Sequence, residues 1–237
     1  MNQHMTKVPK DFDPSILNPF YFVRIGLLEG IKKYAPELKG RLMDFGCGSK
    51  PYRSLFNVDE YIGVDYENPG HSHTNESIDV FYNGETIPFS NEYFDSILCS
   101  EVIEHVFNLQ DILKELNRVL KPKGKILLTC PFVWTEHEIP HDFARYTRFA
   151  LKEMLEKNGF EIIAFSKSGS FFSAIFQLIA MYFYQFSNSK WLKIGPIRWG
   201  YKLIFYGSVN LQGIILSAIL PKKDSFYLNN IILIGKK

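Results

Sequence analysis

Short apolar runs alternate with amphipathic stretches along most of this chain. Seven runs have the length and composition of β-strands: RLMDFG, YIGVDY, SIDVFY, FDSILCS, KILLTCPF, EIIAFS and NNIILIGKK. Apolar residues at helical spacing predict helices over residues 20–34, 109–120 and 147–160. Short apolar strands alternating with helices predict an α/β fold, with a largely parallel sheet covered by helices on both faces.

Two charge-free runs break this alternation between the sixth and seventh strands. They cover residues 168–189 and 203–221, and each is close to the roughly 20 apolar residues that a membrane span needs. Four amides interrupt them: Gln177, Gln185, Asn210 and Gln212. Basic residues flank them: Lys190, Lys193, Arg198, Lys202, Lys222 and Lys223. Because the seventh strand returns to the sheet, both ends of the insertion lie on one side, which disfavours a single membrane crossing.

Three interpretations of this insertion stay open. Its helices cover the active site as a lid, form the face of a homodimer, or lie on a membrane surface. Trp191 and Trp199, together with the basic flanks, are typical of an interfacial membrane element. An apolar lid over the site would also suit a lipid-linked acceptor.

The charge of the chain is unevenly distributed. The whole sequence carries a net charge of +2, but residues 168–237 hold eight bases and one acid, a net +7, which leaves −5 for the rest. The overall balance predicts no nucleic-acid partner, whereas the basic part points to an anionic surface such as the inner leaflet of a membrane. Three isolated cysteines, Cys47, Cys99 and Cys130, and a polar start without a secretory signal predict a cytoplasmic protein, peripheral at the inner face of the membrane.

The loop DFGCGSKPY, residues 44–52, follows the first predicted strand. Its glycines, Gly46 and Gly48, allow the backbone to come close to a ligand at the carboxyl end of the strand. A dinucleotide fingerprint needs a third glycine where this chain has Pro51, and Asp44 would repel a pyrophosphate. S-adenosylmethionine has no phosphate and carries an ammonium and a sulfonium, so an acid beside the loop favours it.

Further candidate contacts follow the later strands. Asp65 ends the second predicted strand, where a carboxylate can accept hydrogen bonds from both ribose hydroxyls. Asn83 and Gly84 follow the third strand at the level of the adenine, and Ser100 and Glu101 follow the fourth. The predicted cofactor-binding residues are Asp44, Gly46, Cys47, Gly48, Asp65, Tyr66, Asn83, Gly84, Ser100 and Glu101.

Five longer motifs occur in order: LMDFGCGSKPY, GVDY, NGETIPFSNEYFDSILCSEVIEHV, LNRVLKPKGKILLTCPF and HDFARYTRFALKEMLEKNGF. Together they resemble the class I S-adenosylmethionine-dependent methyltransferases, most closely the small-molecule branch met in cell-surface polysaccharide and natural-product pathways. The resemblance covers residues 20–167 and the last strand. It implies a Rossmann-like seven-stranded sheet with an antiparallel last strand, and S-adenosyl-L-methionine as cofactor. The chain departs from the family pattern at Lys50, where many members have a third glycine, and at Asn83, where many have Asp.

Titratable side chains concentrate in WTEHEIPHDFARYT, after the fifth strand, where a substrate should approach. Methyl transfer to a hydroxyl needs a base, and His137 and His141 are the candidates, with Asp142 beside them to orient an imidazole and make it more basic. The alternative is a loop pinned by polar contacts, with Asp142 or Thr147 capping the next helix. No metal site is predicted, since the spacing of acids and histidines in residues 136–142 is unspecific.

Glu101 and His105 are four residues apart, which predicts that they share a helical face. Similar enzymes keep such a Glu-His pair beside the cofactor, so the resemblance implies a supporting role for His105.

These features predict a methyltransferase domain in residues 1–167 and 226–237, beginning with a loosely docked arm, and an apolar helical insertion in residues 168–225. The predicted reaction is O-methylation of a small sugar-like or lipid-linked acceptor. The alternatives are a noncatalytic membrane-associated scaffold that retains the cofactor fold, and an NAD-dependent reductase.

Overall fold

The chain forms two compact units in this computed structural model, which describes residues 7–67, 76–221 and 225–237. We call them the sheet unit, which contains Gly30–Ser166 and Asn230–Lys237, and the helical unit, which contains Pro9–Glu29 and Lys167–Asn229. The sequence prediction grouped the N-terminal arm with the sheet, whereas Pro9–Glu29 belongs to the helical unit. Lys222 and Lys223 lie outside the described residues.

The described residues contain seven strands, and all of them join one sheet. They are Arg41–Phe45 (β1), Glu60–Tyr66 (β2), Val80–Tyr82 (β3), Phe94–Ser100 (β4), Leu120–Pro131 (β5), Phe160–Ser168 (β6) and Asn229–Lys236 (β7). Their order is β3-β2-β1-β4-β5-β7-β6, and the pairs from β3 to β5 are parallel. The carboxyl ends of the first five strands therefore meet at one edge of the sheet, where ligands bind in such folds.

The last strand runs against its neighbour. Lys237 N donates to Gly159 O at 3.1 Å and Leu228 N donates to Ser168 O at 2.9 Å, so residue numbers rise along β7 as they fall along β6. The seven-stranded sheet and its antiparallel last strand are thus confirmed.

Six α-helices lie in the described part of the chain. They are Tyr21–Tyr34 (α1), Leu109–Val119 (α2), Arg148–Lys157 (α3), Phe171–Tyr184 (α4), Gly195–Tyr201 (α5) and Ser208–Ile219 (α6). A π-helical turn, Lys202–Gly207, joins α5 to α6. Thr147 begins α3 as predicted, because its hydroxyl accepts a hydrogen bond from Ala150 N at 3.3 Å.

β5 begins five residues earlier than its apolar pattern predicts, at Leu120 rather than Lys125. Phe94 pairs with Leu120 across an irregularity that shifts the register before Ser96. The KPKG sequence, residues 121–124, therefore follows the end of α2 directly and is part of β5.

The core of the sheet unit is a continuous apolar cluster on the sheet. It is built from large side chains of the strands and from the buried stripe of α2, at helical spacing. The residues of that stripe are Leu109, Ile112, Leu113, Leu116 and Val119. This packing fixes the carboxyl edge of the sheet, from which the loops described below begin.

Two buried amides organise the helical unit. Gln177 on α4 donates from Nε2 to Pro19 O at 2.6 Å and accepts at Oε1 from Val23 N at 3.1 Å. Asn210 on α6 donates to two further carbonyl oxygens of the arm, at 2.7 and 2.9 Å. Both amides are fully buried, and they bond backbone groups at and just before the start of α1; one of these, Asn18 O, also accepts from Tyr21 N at 3.3 Å. Of the residues that the sequence predicted to form a loosely docked arm, 1–17, Ile16 is thus held by a specific contact from Asn210.

Replacing Gln177 by Met should lower the free energy of unfolding of the helical unit by about 2–3 kcal/mol, because Pro19 O and Val23 N lose their partner in a buried site. The exposed Gln185→Met is the matched control, and it should change the free energy by less than about 0.5 kcal/mol. Urea denaturation followed by circular dichroism measures both. Equal effects of the two substitutions would contradict the structural role of Gln177.

Candidate functional site

A cavity of about 260 Å³ opens at the carboxyl edge of the sheet, within the sheet unit. Its lining residues are Gly46, Gly48, Asp65, Tyr66, Glu76, Tyr82, Glu101, Val102, His105, Val106, Glu138 and His141. Four of these side chains are carboxylates, and within the described residues no Lys or Arg lines the cavity. Such a wall favours a cationic ligand and offers no partner to a pyrophosphate.

The glycine loop forms one wall because its backbone approaches the turn after β4 directly. Gly46 has a φ of +72° and donates from its N to Val64 O at 2.8 Å. A Cβ on Gly46 would lie 2.3 Å from Val102 Cγ2, so no other residue fits there without displacing Val102. The loop and the turn after β4 are thereby held against each other.

Asp65 connects the end of β2 to the same loop. Its Oδ2 accepts from Gly48 N at 2.8 Å and its Oδ1 accepts from Tyr66 N at 2.8 Å. The carboxylate is therefore oriented before any ligand arrives, at the cavity wall where ribose hydroxyls were predicted to bind. The Tyr66 and Tyr82 rings, with centroids 5.8 Å apart, form the adjoining aromatic wall.

Asp44 lies beneath the loop rather than in the cavity wall. It is 4% exposed, and its Oδ2 accepts a hydrogen bond from Tyr61 Oη at 2.6 Å. Burial raises the pKa of Asp44 to about 7, although the hydrogen bond from Tyr61 and the charge of Lys50 oppose the rise. Cys47 is buried as well, and burial raises the pKa of its thiol, which argues against a nucleophilic role.

Lys50 occupies the position of the family's third glycine and adopts the backbone of one, with a φ of +54°. Its Nζ lies 2.5 Å from Asp79 Oδ2, which also accepts from Gly63 N at 2.6 Å. A Cβ on Gly63 would lie 2.2 Å from Lys50 Cε, so the absence of a side chain there lets the lysine lie across β2. The lysine therefore points away from the cavity and ties the loop to β3.

Three other predicted cofactor residues, Asn83, Gly84 and Ser100, are not among the described residues that line the cavity. Asn83 Oδ1 accepts from the N–H groups of Glu85 and Thr86, both at 3.0 Å, and so closes its own turn. Ser100 Oγ lies 3.0 Å from Thr129 Oγ1. Gly84, with a φ of +86°, packs against the Tyr66 ring. A direct cofactor contact by these residues stays a prediction.

The wall also contains residues that sequence reasoning did not assign: Glu76, Tyr82, Val102, Val106 and Glu138. Their only sequence signal is position, because each lies at or after the carboxyl end of a strand. Val102 and Val106 flank the Glu-His pair, and an apolar residue there carries no chemical signature.

Glu101 and His105 both line the cavity, but not for the predicted reason. The backbone forms a short 3₁₀ turn over Ile103–His105, and Glu101 precedes it with a left-handed φ of +57°. The expected shared helical face was therefore wrong. Glu101 is held separately, by a hydrogen bond from Thr129 Oγ1 to its Oε1 at 2.9 Å.

His105 is held by contacts with the two other histidines of this segment. Its Nδ1 lies 2.6 Å from His141 O, and its Nε2 lies 3.1 Å from His137 Nε2. A carbonyl oxygen can only accept, so Nδ1 carries the proton and Nε2 presents a lone pair. The fold thus brings together all three predicted histidines, with the backbone of His141 and the rings of the other two in contact.

Glu104 is fully buried beside this pair, and neither of its carboxylate oxygens has a hydrogen-bond partner among the described residues. Burial and, secondarily, the charge of Glu101 raise its pKa. Its Oε1 lies 3.8 Å from His105 Nε2, and one ligand atom from each of Glu104, His105 and His137 falls within 4.8 Å of the others. These three side chains could hold a metal ion, although the sequence predicted none.

Asp142 positions the loop and does not activate a histidine. It forms a bidentate pair with Arg145 at 2.6 and 2.8 Å and accepts from His137 N at 3.0 Å. Arg145 holds the pKa of Asp142 well below its usual range. Burial and the nearby His105 lower the pKa of His137, and they outweigh the opposing effect of Asp142. Asp142 thus acts on His137 in the expected direction, but burial and His105 leave the pKa of this imidazole lower than that of a free one.

A family described as a methyltransferase domain matches residues 21–164. The chain belongs to the class I S-adenosylmethionine-dependent methyltransferases. S-adenosylmethionine is the cofactor, and the carboxylate wall of the cavity fits its positive charge.

Relatives of this methyltransferase are distant. Ubiquinone biosynthesis O-methyltransferase of Homo sapiens is 30% identical over 127 residues, which cover 46% of this chain and 34% of that protein. The structure of an S-adenosylmethionine-dependent methyltransferase from Archaeoglobus fulgidus has a TM-score of 0.54 at 18% identity, covering 96% of this chain and 97% of the other. Phosphoethanolamine N-methyltransferase 2 of Haemonchus contortus, in complex with S-adenosyl-L-methionine, has a TM-score of 0.54 at 19% identity, covering 89% and 52%. The chain spans about half the length of most of the curated relatives it matches.

Asp44→Asn should change how the stability of the methyltransferase depends on pH. The pKa of Asp44 is about 7 in the fold against 3.8 for the free side chain, so the folded state holds the proton more tightly than the unfolded state does. The stability that this protonated group contributes is therefore lost as pH rises from about 4 to about 7. The wild type should therefore lose about 2–3 kcal/mol more than Asp44→Asn between pH 5 and pH 8. Urea denaturation without cofactor measures this, and parallel pH profiles for the two proteins would refute it.

Lys50→Gly and Lys50→Ala separate the two features of that position. Both remove the contact with Asp79, but only alanine keeps a side chain at a φ of +54°. We expect the glycine variant to be more stable than the alanine variant by about 1 kcal/mol. Thermal unfolding of the two variants compares them, and an equally or more stable alanine variant would show that the loop relaxes.

Proposed function

We propose that this methyltransferase transfers the methyl group to a hydroxyl oxygen of a small sugar-like or lipid-linked acceptor. The observation that supports it is the orientation of His105, a cavity-lining residue whose Nδ1 is held by His141 O, so that its Nε2 carries the lone pair. The wall therefore has a cofactor side, with Gly48 and Asp65, and an acceptor side, with a base in place. Bound S-adenosylmethionine supplies an electrophilic methyl group on a sulfonium.

The protonation of His137 completes the base. Its Nδ1 has two acceptors at 3.3 Å, Thr135 O and Asp142 Oδ2, which are closer than the Arg145 donor at 3.5 Å. The proton of a neutral His137 therefore lies on Nδ1, and the two Nε2 lone pairs face each other at 3.1 Å, where they repel until one proton is shared between them. The pair can hold one additional proton between them, which is what a hydroxyl acceptor has to lose.

The proposed step balances without another reactant. With S-adenosylmethionine bound, the acceptor oxygen would form a bond to the methyl carbon as the carbon–sulfur bond breaks, and the electron pair would stay on sulfur. The hydroxyl proton passes to the Nε2 of His105 and is shared with His137. The products are the methyl ether and neutral S-adenosylhomocysteine. Because the sulfonium is a good leaving group, alignment of the two substrates should supply much of the rate.

One relative agrees with an oxygen acceptor, since the human protein is an O-methyltransferase. The Haemonchus protein is named an N-methyltransferase, so the fold itself accommodates either atom. The choice of oxygen for this chain rests on the histidine pair, because a neutral amine acceptor attacks through its own lone pair.

The test is the release of S-adenosylhomocysteine when the enzyme is given S-adenosylmethionine and soluble or lipid fractions of a cell extract. His105→Ala should reduce the rate about 100-fold or more, since general bases contribute on this scale. His141→Ala is the matched control: it keeps the backbone carbonyl that holds His105, so the rate should fall only a few-fold. The wild-type rate should rise with pH and level off as the base loses its proton.

Binding of S-adenosylhomocysteine, measured by calorimetry, should be retained in all three single variants, His105→Ala, His137→Ala and His141→Ala. An equal loss of rate in the His105 and His141 variants would overturn the proposed base. So would loss of activity on chelation that Zn²⁺ or Mg²⁺ restores, which would assign Glu104, His105 and His137 to a metal. Cofactor binding without turnover on any fraction would favour the noncatalytic scaffold.

A further inference from the structure

The helical unit exposes far more apolar surface than the sheet unit. Of the 22 large hydrophobic side chains that are strongly exposed among the described residues, 15 lie between Phe171 and Leu220. Scattered exposed apolar residues are ordinary on a protein surface, but a concentration in one segment marks an interaction site.

The exposed residues of α6 form one continuous face. Leu211, Ile215 and Ile219 follow at intervals of four and are exposed, while the buried residues Val209 and Gly213 lie on the opposite side of the helix. A helix on the surface of a water-soluble protein has polar residues on its outer face. The outer face of this helix also carries Gln212, but its large exposed side chains are apolar, so the face is suited to a nonaqueous neighbour.

The helix that continues through the π turn, Gly195–Ile219, is long and apolar enough to cross a membrane by length and composition, and only 28% of its most apolar window is buried. The other long helix of the unit, α4, has 14 residues and is about 21 Å long, against roughly 30 Å for the hydrocarbon core. A hairpin of these two helices does not match a full crossing. An element lying in the interface does match them.

The connection between the two helices has the composition of a membrane interface. Trp191 is 75% exposed and Trp199 is 61% exposed. Four exposed cations surround them: Lys190, Lys193, Arg198 and Lys202. None of these four has an ion-pair partner among the described residues, and residues 168–221 contain no acid. Tryptophans at the level of headgroups with cations beside them are typical of elements that bind anionic lipid.

We propose that the segment Phe171–Leu220 docks on an anionic lipid surface, with its apolar face in the headgroup–acyl boundary and its four cations at the phosphates. A second copy of this chain fits the face less well. A symmetric dimer through it would bring the same four cations towards each other without an acid in either segment to pair with them. The lipid surface supplies both the apolar layer and the opposite charge.

Sedimentation of the full-length protein with vesicles tests this docking. Binding to vesicles of 70% phosphatidylcholine and 30% phosphatidylglycerol should exceed binding to pure phosphatidylcholine by about tenfold at 0.1 M salt, and should weaken at 0.5 M salt. The double variant W191S/W199S should lose about tenfold in partitioning to either vesicle. Replacing the four cations by Gln should abolish only the preference for the anionic vesicle.

Phe149→Ser is the matched control, because Phe149 is an aromatic residue of the sheet unit that is 69% exposed. It should bind vesicles like the wild type. In a Trp134→Phe background, the emission of Trp191 and Trp199 should shift to the blue with anionic vesicles but not with inorganic phosphate. Failure of the wild type to sediment with anionic vesicles would overturn the proposal, as would a stable dimer in light scattering whose emission is unchanged by lipid. Neither result would bear on the methyltransferase reaction, which is measured separately.

Discussion

Close approach at Gly46 sets the spacing of the whole active site. The backbone of the glycine loop lies against Val102 with no room for a Cβ, and Val102 begins the turn that carries His105. The glycine loop and the turn that carries His105 are therefore held together by direct packing of two loops on adjacent strands. Methyl transfer depends on the alignment of two reacting centres within a few tenths of an ångström, and a contact without flexible side chains is well suited to maintain it.

The cavity and the residues around it concentrate carboxyl groups. Four carboxylates line the cavity, Glu104 lies behind them without a hydrogen-bond partner among the described residues, and Asp44 is buried beneath the loop. Desolvation makes such groups expensive for folding, but it also makes a fixed field that a sulfonium or ammonium enters favourably. The same residues thus reduce the stability of the empty protein and favour a positively charged cofactor over a dinucleotide.

The sequence predicts those parts of the fold that local pattern determines. β4 was predicted residue for residue, since its apolar run is bounded by polar residues on both sides. The contact of Lys50 with Asp79, 29 residues away, has no periodic signal in the sequence. The hydrogen bond from Val23 N in α1 to Gln177, 154 residues away, has none either. The left-handed backbone at Glu101 is set by tertiary contacts after β4, so a helical spacing rule failed there.

Candidate site residues divide in the same way. Gly46, Gly48 and Asp65 follow from motif and position, and all three line the cavity. The low basicity of His137 could not be read from its neighbour Asp142, because it depends on burial and on a histidine 32 residues earlier. The pKa of a side chain depends on the groups that surround it in the folded protein, and spacing along the chain does not reveal these.

The position of β7 has a consequence for synthesis. It lies between β5 and β6, so β6 is an edge strand whose only partner in the sheet is made after the intervening residues 169–228. While the ribosome produces that apolar segment, β6 has no ladder to join and the free edge of β5 stays open to other strands. The nascent chain therefore passes through a stage in which its most apolar segment and an unpaired sheet edge are exposed at the same time. A nearby bilayer that took up the helices of this segment would shorten that stage.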